Sequence, residues 1–139
     1  MLTLTTPKDS FTIKGISTQE FVALPEIQSI QTISMPMSDF TTGIAKVEFA
    51  VLEKNFSPVF TGIVIGSKKD DNKDAIVFVG TDSFRLAEYK IYTDTTYNDF
   101  KIIVPKSSIN DMKRVGDYCL SKQPNNHVNI HYANNMVLC

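Results

Sequence analysis

The chain has 139 residues, enough for one domain or slightly more with a real hydrophobic core. Its 42% hydrophobic and 21% charged residues are ordinary for a soluble globular protein, and a net charge of −1 excludes a strongly basic protein held to nucleic acid by bulk charge alone. The N-terminus lacks a basic region followed by a long apolar run, and no stretch reaches the roughly 18 apolar residues that span a bilayer, so the expectation is a soluble cytoplasmic chain with no membrane partner.

In chain order, residues 1–15 read as two short strands, Leu2–Thr5 and Ser10–Ile13, joined by a Pro7-Lys8-Asp9 turn. Residues 16–30 lack a clear period and contain Pro25, so they read as a connector whose Phe21, Val22 and Leu24 dock on a surface. A different texture begins at Ile33. Pro36 and Ser38 precede Phe40, Ile44, Val47 and Val51, whose steps of 4, 3 and 4 predict one buried stripe of a helix over about 38–54. Ser38 is the N-cap candidate, and Asp39 falls in the first turn, where the helix dipole favours an acid. After Asn55 and Pro58, the runs Val59–Ile65, Ala75–Val79, Leu86–Tyr92 and Lys101–Val104 predict strands, with Lys68–Asp74 as a polar hairpin tip.

The earlier pattern then returns. Ile33-x-Met35-Pro36-x-Ser38-x-Phe40 lines up with Ile102-x-Val104-Pro105-x-Ser107-x-Ile109 at a constant offset of 69 positions, each reading strand, proline, serine, helix. In the second copy Ile109, Met112, Gly116 and Cys119 form the inner stripe of a helix over about 107–120. After a Lys122–Asn126 loop, Val128, Ile130 and Tyr132 alternate with His127, Asn129 and His131 as a half-buried strand. Asn134-Asn135 turns the chain into Met136-Val137-Leu138. The second unit reads as short by at least one strand, and an unpaired apolar edge invites pairing with another chain.

Little in the sequence supports catalysis or metal binding. Gly62-Ile63-Val64-Ile65-Gly66-Ser67-Lys68 is β-branched between its glycines and precedes no helix, so it is a strand rather than a phosphate loop. His127 and His131 share a strand face about 13 Å apart, too far for one ion. Asp82 beside Ser83 has no histidine in a context that would activate the serine, so a small hydrolase is the remotest reading. Cys119 and Cys139 belong to no paired motif, which fits a reducing compartment. No catalytic residue, metal or cofactor is expected.

Val79-Gly80-Thr81-Asp82-Ser83-Phe84-Arg85-Leu86-Ala87 resembles the Thr-Asp-Gly/Ser-His/Tyr-Arg-Leu-Ala signature of the bacterial DNA sliding clamp family, the beta subunit of DNA polymerase III. Val47-Glu48-Phe49-Ala50-Val51 resembles the end of that family's first inner helix, and Pro58-Val59-Phe60-Thr61-Gly62-Ile63 its Pro-Val-Leu-Thr-Gly-Val strand. Ile103-Val104-Pro105-Lys106 resembles the entry to the second inner helix. Phe11-Thr12-Ile13-Lys14-Gly15 and Leu24-Pro25 resemble the tail of the first clamp domain and its linker. The resemblance covers essentially the whole chain and implies an α+β clamp fold. Two tandem strand–helix–strands units would carry two helices on one face of an antiparallel sheet, with the last strand or strands missing. Residues 1–30 would be the terminal strands and linker of a first domain, and residues 31–139 a C-terminally incomplete middle domain.

The family's rings carry helices around duplex DNA and dock short peptides of polymerases, the clamp loader and repair proteins. Carried over by position, Phe60, Thr81, Ser83, Phe84, Arg85 and Leu86 would form one wall of the peptide cleft, with Phe60 on a neighbouring strand. Phe60 replaces the usual leucine, and Phe84 replaces a His or Tyr. Against this stands a plain strand connection with Leu86 in the core. Lys46, Lys54, Lys106, Lys113 and Arg114 are the candidates for proximity to DNA phosphates, contacting the backbone without reading sequence, and an ordinary solvated face is the alternative. The resemblance implies a processivity factor without enzymatic activity. The rival reading is a stand-alone clamp-like scaffold that self-associates through its exposed edge strand.

Overall fold

The computed structural model of the chain describes residues 1–17, 19, 31–54, 57–133 and 136–138. The docking of Phe21, Val22 and Leu24, Pro25, Asn55, the Asn134-Asn135 turn and Cys139 lie outside the described residues.

The first two strands, β1 (Leu2–Thr5) and β2 (Ser10–Ile13), form an antiparallel ribbon in which Leu2 faces Ile13 and Leu4 faces Phe11. Asp9 closes its turn, accepting the Thr6 amide at 2.7 Å. All eight residues of the ribbon are exposed.

The main body follows from the two proline-led units. β3 (Gln31–Pro36) leads into α1 (Met37–Val47), and β7 (Lys101–Pro105) leads into α3 (Lys106–Lys122). In each unit the proline itself is the N-cap, with φ −55° and ψ 136° at Pro36 and φ −59° and ψ 146° at Pro105. A ring-fixed φ suits both the end of the strand and the entry to the helix. Ser38 therefore sits inside the first turn, and no side chain caps α1. The helix also ends sooner than its apolar spacing predicts. At Val47 it tightens into a 3-10 turn, Glu48–Ala50, and Val51 is already extended. Val51 is buried from that extended backbone, so the periodic stripe outlasts the helix that it implied.

Between the units run α2 (Pro58–Thr61), β4 (Gly62–Asp70), β5 (Lys73–Thr81) and β6 (Leu86–Thr93). The stretch predicted as a strand from Val59 thus begins as a single helical turn with Pro58 in its first turn, where a missing N–H costs nothing. β8 (His127–Ala133) and β9 (Met136–Leu138) close the described chain. The antiparallel layer is divided into a four-stranded sheet ordered β6-β5-β4-β7 and a three-stranded sheet ordered β3-β8-β9. In the first, Ile65 pairs with Phe78 and Ile102, and Phe78 with Tyr89. The β4–β5 hairpin turns at Asp71 and Asn72, both at positive φ (46° and 64°), which these residue types tolerate.

The inward-pointing alternates make the core. Ile33, Met35, Ile63, Ile65, Ile76, Phe78, Val104, Val128 and Ile130 join Phe40, Ile44 and Val47 of α1 and Ile109 of α3 in one buried cluster. The repeat is visible in burial: Ile33 and Ile102, Met35 and Val104, and Phe40 and Ile109 are buried as pairs. Both helices lie on the inner face of the four-stranded sheet, α1 against β5 and β6, α3 against β4 and β7, and they cross each other at Gly116. A Cβ on Gly116 would stand 2.7 Å from Thr41 Cγ2 and 3.2 Å from Met37 Sδ, so only a bare backbone permits this approach. Among the described residues no helix is long and apolar enough to cross a membrane.

Candidate functional site

The outer face of the four-stranded sheet is not simply solvated. Strand alternation sends Val64, Val77 and Val79 outward, opposite in parity to Ile63, Ile65, Ile76 and Phe78, and Val77 is nevertheless 9% exposed. These valines, with Val59, Leu86 and Phe100, line a groove of about 410 Å³ edged by Thr81, Lys68 and Lys101. A strand apolar on both faces is a signal of a covered or binding surface, and it is the clue by which sequence reasoning could have found Val64, Val77 and Val79.

One end of the groove is the turn from Thr81 to Leu86, and its shape comes from Asp82. The Asp82 carboxylate accepts the backbone amides of Phe84 at 3.0 Å and Arg85 at 2.9 Å through Oδ1, and the Arg85 Nε at 2.9 Å through Oδ2. The backbone amide of Arg85, then that of Phe84, together with the Arg85 guanidinium, hold its carboxyl below the ordinary value of 3.8 against the opposing effect of burial. The Asp82 amide donates to the Arg85 carbonyl at 3.3 Å, and the Thr81 hydroxyl donates to the same carbonyl at 2.8 Å. Ser83 adopts φ 77°, the left-handed region, while its amide donates to Thr81 Oγ1 at 3.3 Å. The outcome is a closed turn with apolar side chains aimed at water: Phe84 is 97% exposed and Leu86 67%. That disposes of the reading in which Leu86 is a core residue. Asp82 is committed to the backbone of its own turn, an arrangement that offers Ser83 no base.

The turn is braced from the helical side. Arg85 donates its NH2 to the Phe49 carbonyl at 2.9 Å and lies 5.5 Å over the Phe49 ring. Behind this contact Gly80 passes so close to α1 that a Cβ there would stand 2.5 Å from the Val47 carbonyl oxygen. Sequence reasoning missed the Glu48–Ala50 turn as part of the site because the apolar period runs through it unbroken. Phe60 needs a second correction: it sits half-buried on α2 rather than on a strand, and its neighbour Val59 lines the groove.

The basic candidates separate into two groups. Lys46 and Lys54 are exposed, and Arg114 is 85% exposed at its side chain, with only a long 3.9 Å approach to Asp111. Lys113 instead pairs with Glu48 at 2.6 Å, and Lys106 donates to the Val51 carbonyl at 3.2 Å. With Arg85, they bring three cations to the end of α1, where carbonyls without helical partners and the negative pole of the dipole favour positive charge.

Paired helices on one face and a groove on the other describe the DNA-clamp fold. Residues 34–139 match the family described as DNA polymerase III beta subunit, central domain, and the chain belongs to that family. It is 24% identical over 135 residues to the beta sliding clamp of Staphylococcus epidermidis, covering 97% of this chain and 33% of that protein. To the beta sliding clamp of Lactococcus lactis it is 28% identical over 112 residues, covering 81% and 29%. Among solved structures, the sliding clamp of Bacillus subtilis superposes with a TM-score of 0.80 at 22% identity, covering 97% of this chain and 33% of that one. The DNA polymerase III beta subunit of Pseudomonas aeruginosa gives 0.81 at 17%, covering 97% and 35%. The chain spans about a third of the length of the relatives it matches.

Proposed function

We propose that this chain is the peptide-docking part of a DNA polymerase processivity clamp. Its helical face would turn toward duplex DNA and its outer groove would accept peptides from polymerase, clamp-loader and repair proteins. It would act in the cytoplasm, without enzymatic activity of its own. Residues 31–139 would be the middle clamp domain, and residues 1–30 the final strands and linker of a neighbouring one. The observation that carries this reading is the pairing of an apolar groove with a rigid turn that holds Leu86 and Phe84 out in water, on the face opposite the helices. Exposed apolar side chains on an ordered turn cost solvation unless a partner covers them. Thr81 and Ser83 shape the turn. Of the five candidates, Lys46, Lys54 and Arg114 are exposed enough to meet phosphates, while Lys106 and Lys113 first serve the end of α1.

The test is fluorescence polarisation with a labelled Ala-Leu-Ala-Leu-Phe peptide, whose leucine and phenylalanine side chains are the anchors. The groove has one wall among the described residues, so weak saturable binding is expected. Leu86→Asp abolishes it while the circular dichroism spectrum stays that of the folded domain. Unchanged affinity in the variant would remove Leu86 from the site.

A second reading rests on β9, which among the described residues has a hydrogen-bonded neighbour on one side only. An open edge of this kind can pair with another copy. Size-exclusion chromatography separates the two: a tight dimer indifferent to the peptide favours self-association.

A further inference from the structure

We propose that Arg85 is a positioning residue for the groove wall, and that the Glu48–Ala50 turn is the foundation on which that wall stands. This rests on the peptide-docking reading of the groove. Arg85 has its Nε on Asp82 at 2.9 Å, its NH2 on the Phe49 carbonyl at 2.9 Å, and its guanidinium carbon 5.5 Å over the Phe49 ring. These contacts take Nε and NH2 and set the plane of the guanidinium, although the side chain stays 59% exposed. What it joins are two segments that sequence keeps far apart, the 3-10 turn after α1 and the turn after β5. The Phe49 side of this joint is itself anchored, because Lys113 holds Glu48 at 2.6 Å and Lys106 holds the Val51 carbonyl at 3.2 Å.

The consequence is preorganisation. Ser83 at φ 77° is not a conformation that serine adopts unaided, and Phe84, 97% exposed, buries almost nothing to hold the turn in shape. The Asp82–Arg85 pair fixes the turn, and the Phe49 carbonyl fixes Arg85. Without the brace the turn samples other shapes, and a peptide would have to order it on binding. That ordering weakens affinity even though the peptide touches the same groups. Phe49, 58% exposed, therefore belongs to the working site although it does not line the groove.

The experiment uses the full chain and its Arg85→Gln, Arg85→Lys, Asp82→Asn and Asp82→Asn/Arg85→Gln variants. Amide hydrogen exchange is followed by NMR, together with the Ser83 three-bond HN–Hα coupling, and polarisation titrations use the uncharged Ala-Leu-Ala-Leu-Phe peptide, acetylated, amidated and labelled with an uncharged dye. In Arg85→Gln the backbone amides of Phe84 and of position 85 exchange about tenfold faster and the Ser83 coupling shifts, while the β4–β5 amides keep their protection. Peptide affinity falls about tenfold in each single variant and no further in the double variant, and Arg85→Lys, which keeps the charge but not the fork, fails to rescue it. Unchanged exchange and coupling in Arg85→Gln overturn the brace, whatever the peptide does. Reduced affinity with an unaltered turn would make Arg85 a direct contact. If the wild-type chain does not bind the peptide at all, the docking reading fails, and the exchange and coupling data still decide whether the brace exists.

Discussion

Single side chains carry more of this fold than their types advertise. Lys106 and Lys113 lie on the polar side of an amphipathic helix, which in sequence is indistinguishable from a phosphate-facing stripe, yet each ends on the Glu48–Val51 segment. Partners 55 and 65 residues away cannot be read from local spacing. Gly116 is the opposite case, a residue whose role lies in what it lacks. Its backbone meets α1 where any side chain would collide with Thr41 and Met37. Gly116→Leu gains about 0.8 kcal/mol of helix propensity, but forcing the helices apart should outweigh it and leave the variant about 1–3 kcal/mol less stable. Urea denaturation monitored by circular dichroism gives the difference directly, and a midpoint equal to or above that of the parent would mean that the helices yield without strain.

At the level of elements, the outer surface of the sheet is held by an ionic lattice across three strands. Asp70 at the end of β4 reaches past β5 to Lys90 at 2.7 Å and the Tyr92 hydroxyl at 3.1 Å on β6, while Glu88 receives Lys68 at 3.5 Å and Lys90 at 3.4 Å. The hydrogen bond from Lys90, then that from Tyr92, lower the Asp70 pKa, and in return the bond to Asp70 raises those of Lys90 and Tyr92. A depressed carboxylate stabilises the fold above its unfolded value of about 3.9 and loses that contribution as pH falls through the lower folded value. The raised Lys90 and Tyr92 stabilise below their unfolded values of about 10.4 and 10, and lose it as pH rises through the folded ones. Asp70→Asn should therefore be less stable than the parent between about pH 5 and 9, with the two converging only as pH falls through the depressed Asp70 value or rises through the raised Lys90 and Tyr92 values. Urea midpoints taken across pH show this, and a gap constant at all pH would exclude the charge pairing. Alternation and proline spacing made the strands, both helices and the repeat legible, because burial periodicity is a local property. The 3-10 turn, the one-turn helix at Pro58 and the split of the layer into two sheets were not, since each is decided by what packs across the chain. For the site, the Thr81–Leu86 turn was legible through its motif, whereas its brace at Phe49 and the valine floor emerge only when the sheet is assembled.

Taken as a whole molecule, the chain is uneven in what holds it together. The body from β3 to β9 closes one continuous core under two helices, while the β1–β2 ribbon exposes Leu2, Leu4, Phe11 and Ile13 at 57%, 51%, 60% and 52%. An isolated two-stranded ribbon is marginal in water, and its apolar side chains contribute stability only where another surface covers them. If residues 1–30 are the end of a neighbouring clamp domain, the ribbon belongs energetically to that domain and not to this one. Deleting residues 1–17 should then change the stability of the remaining chain by no more than about 0.5 kcal/mol. In the intact chain the ribbon amides should exchange far faster than those of the β4–β5 pair, because local opening there sacrifices almost no buried surface. Comparison of urea midpoints, with residue-resolved exchange on the intact chain, tests both halves. A truncated chain that loses several kcal/mol, or ribbon amides as protected as those of β5, would show that the ribbon is integral to this core, and the domain boundary near residue 30 would have to be redrawn.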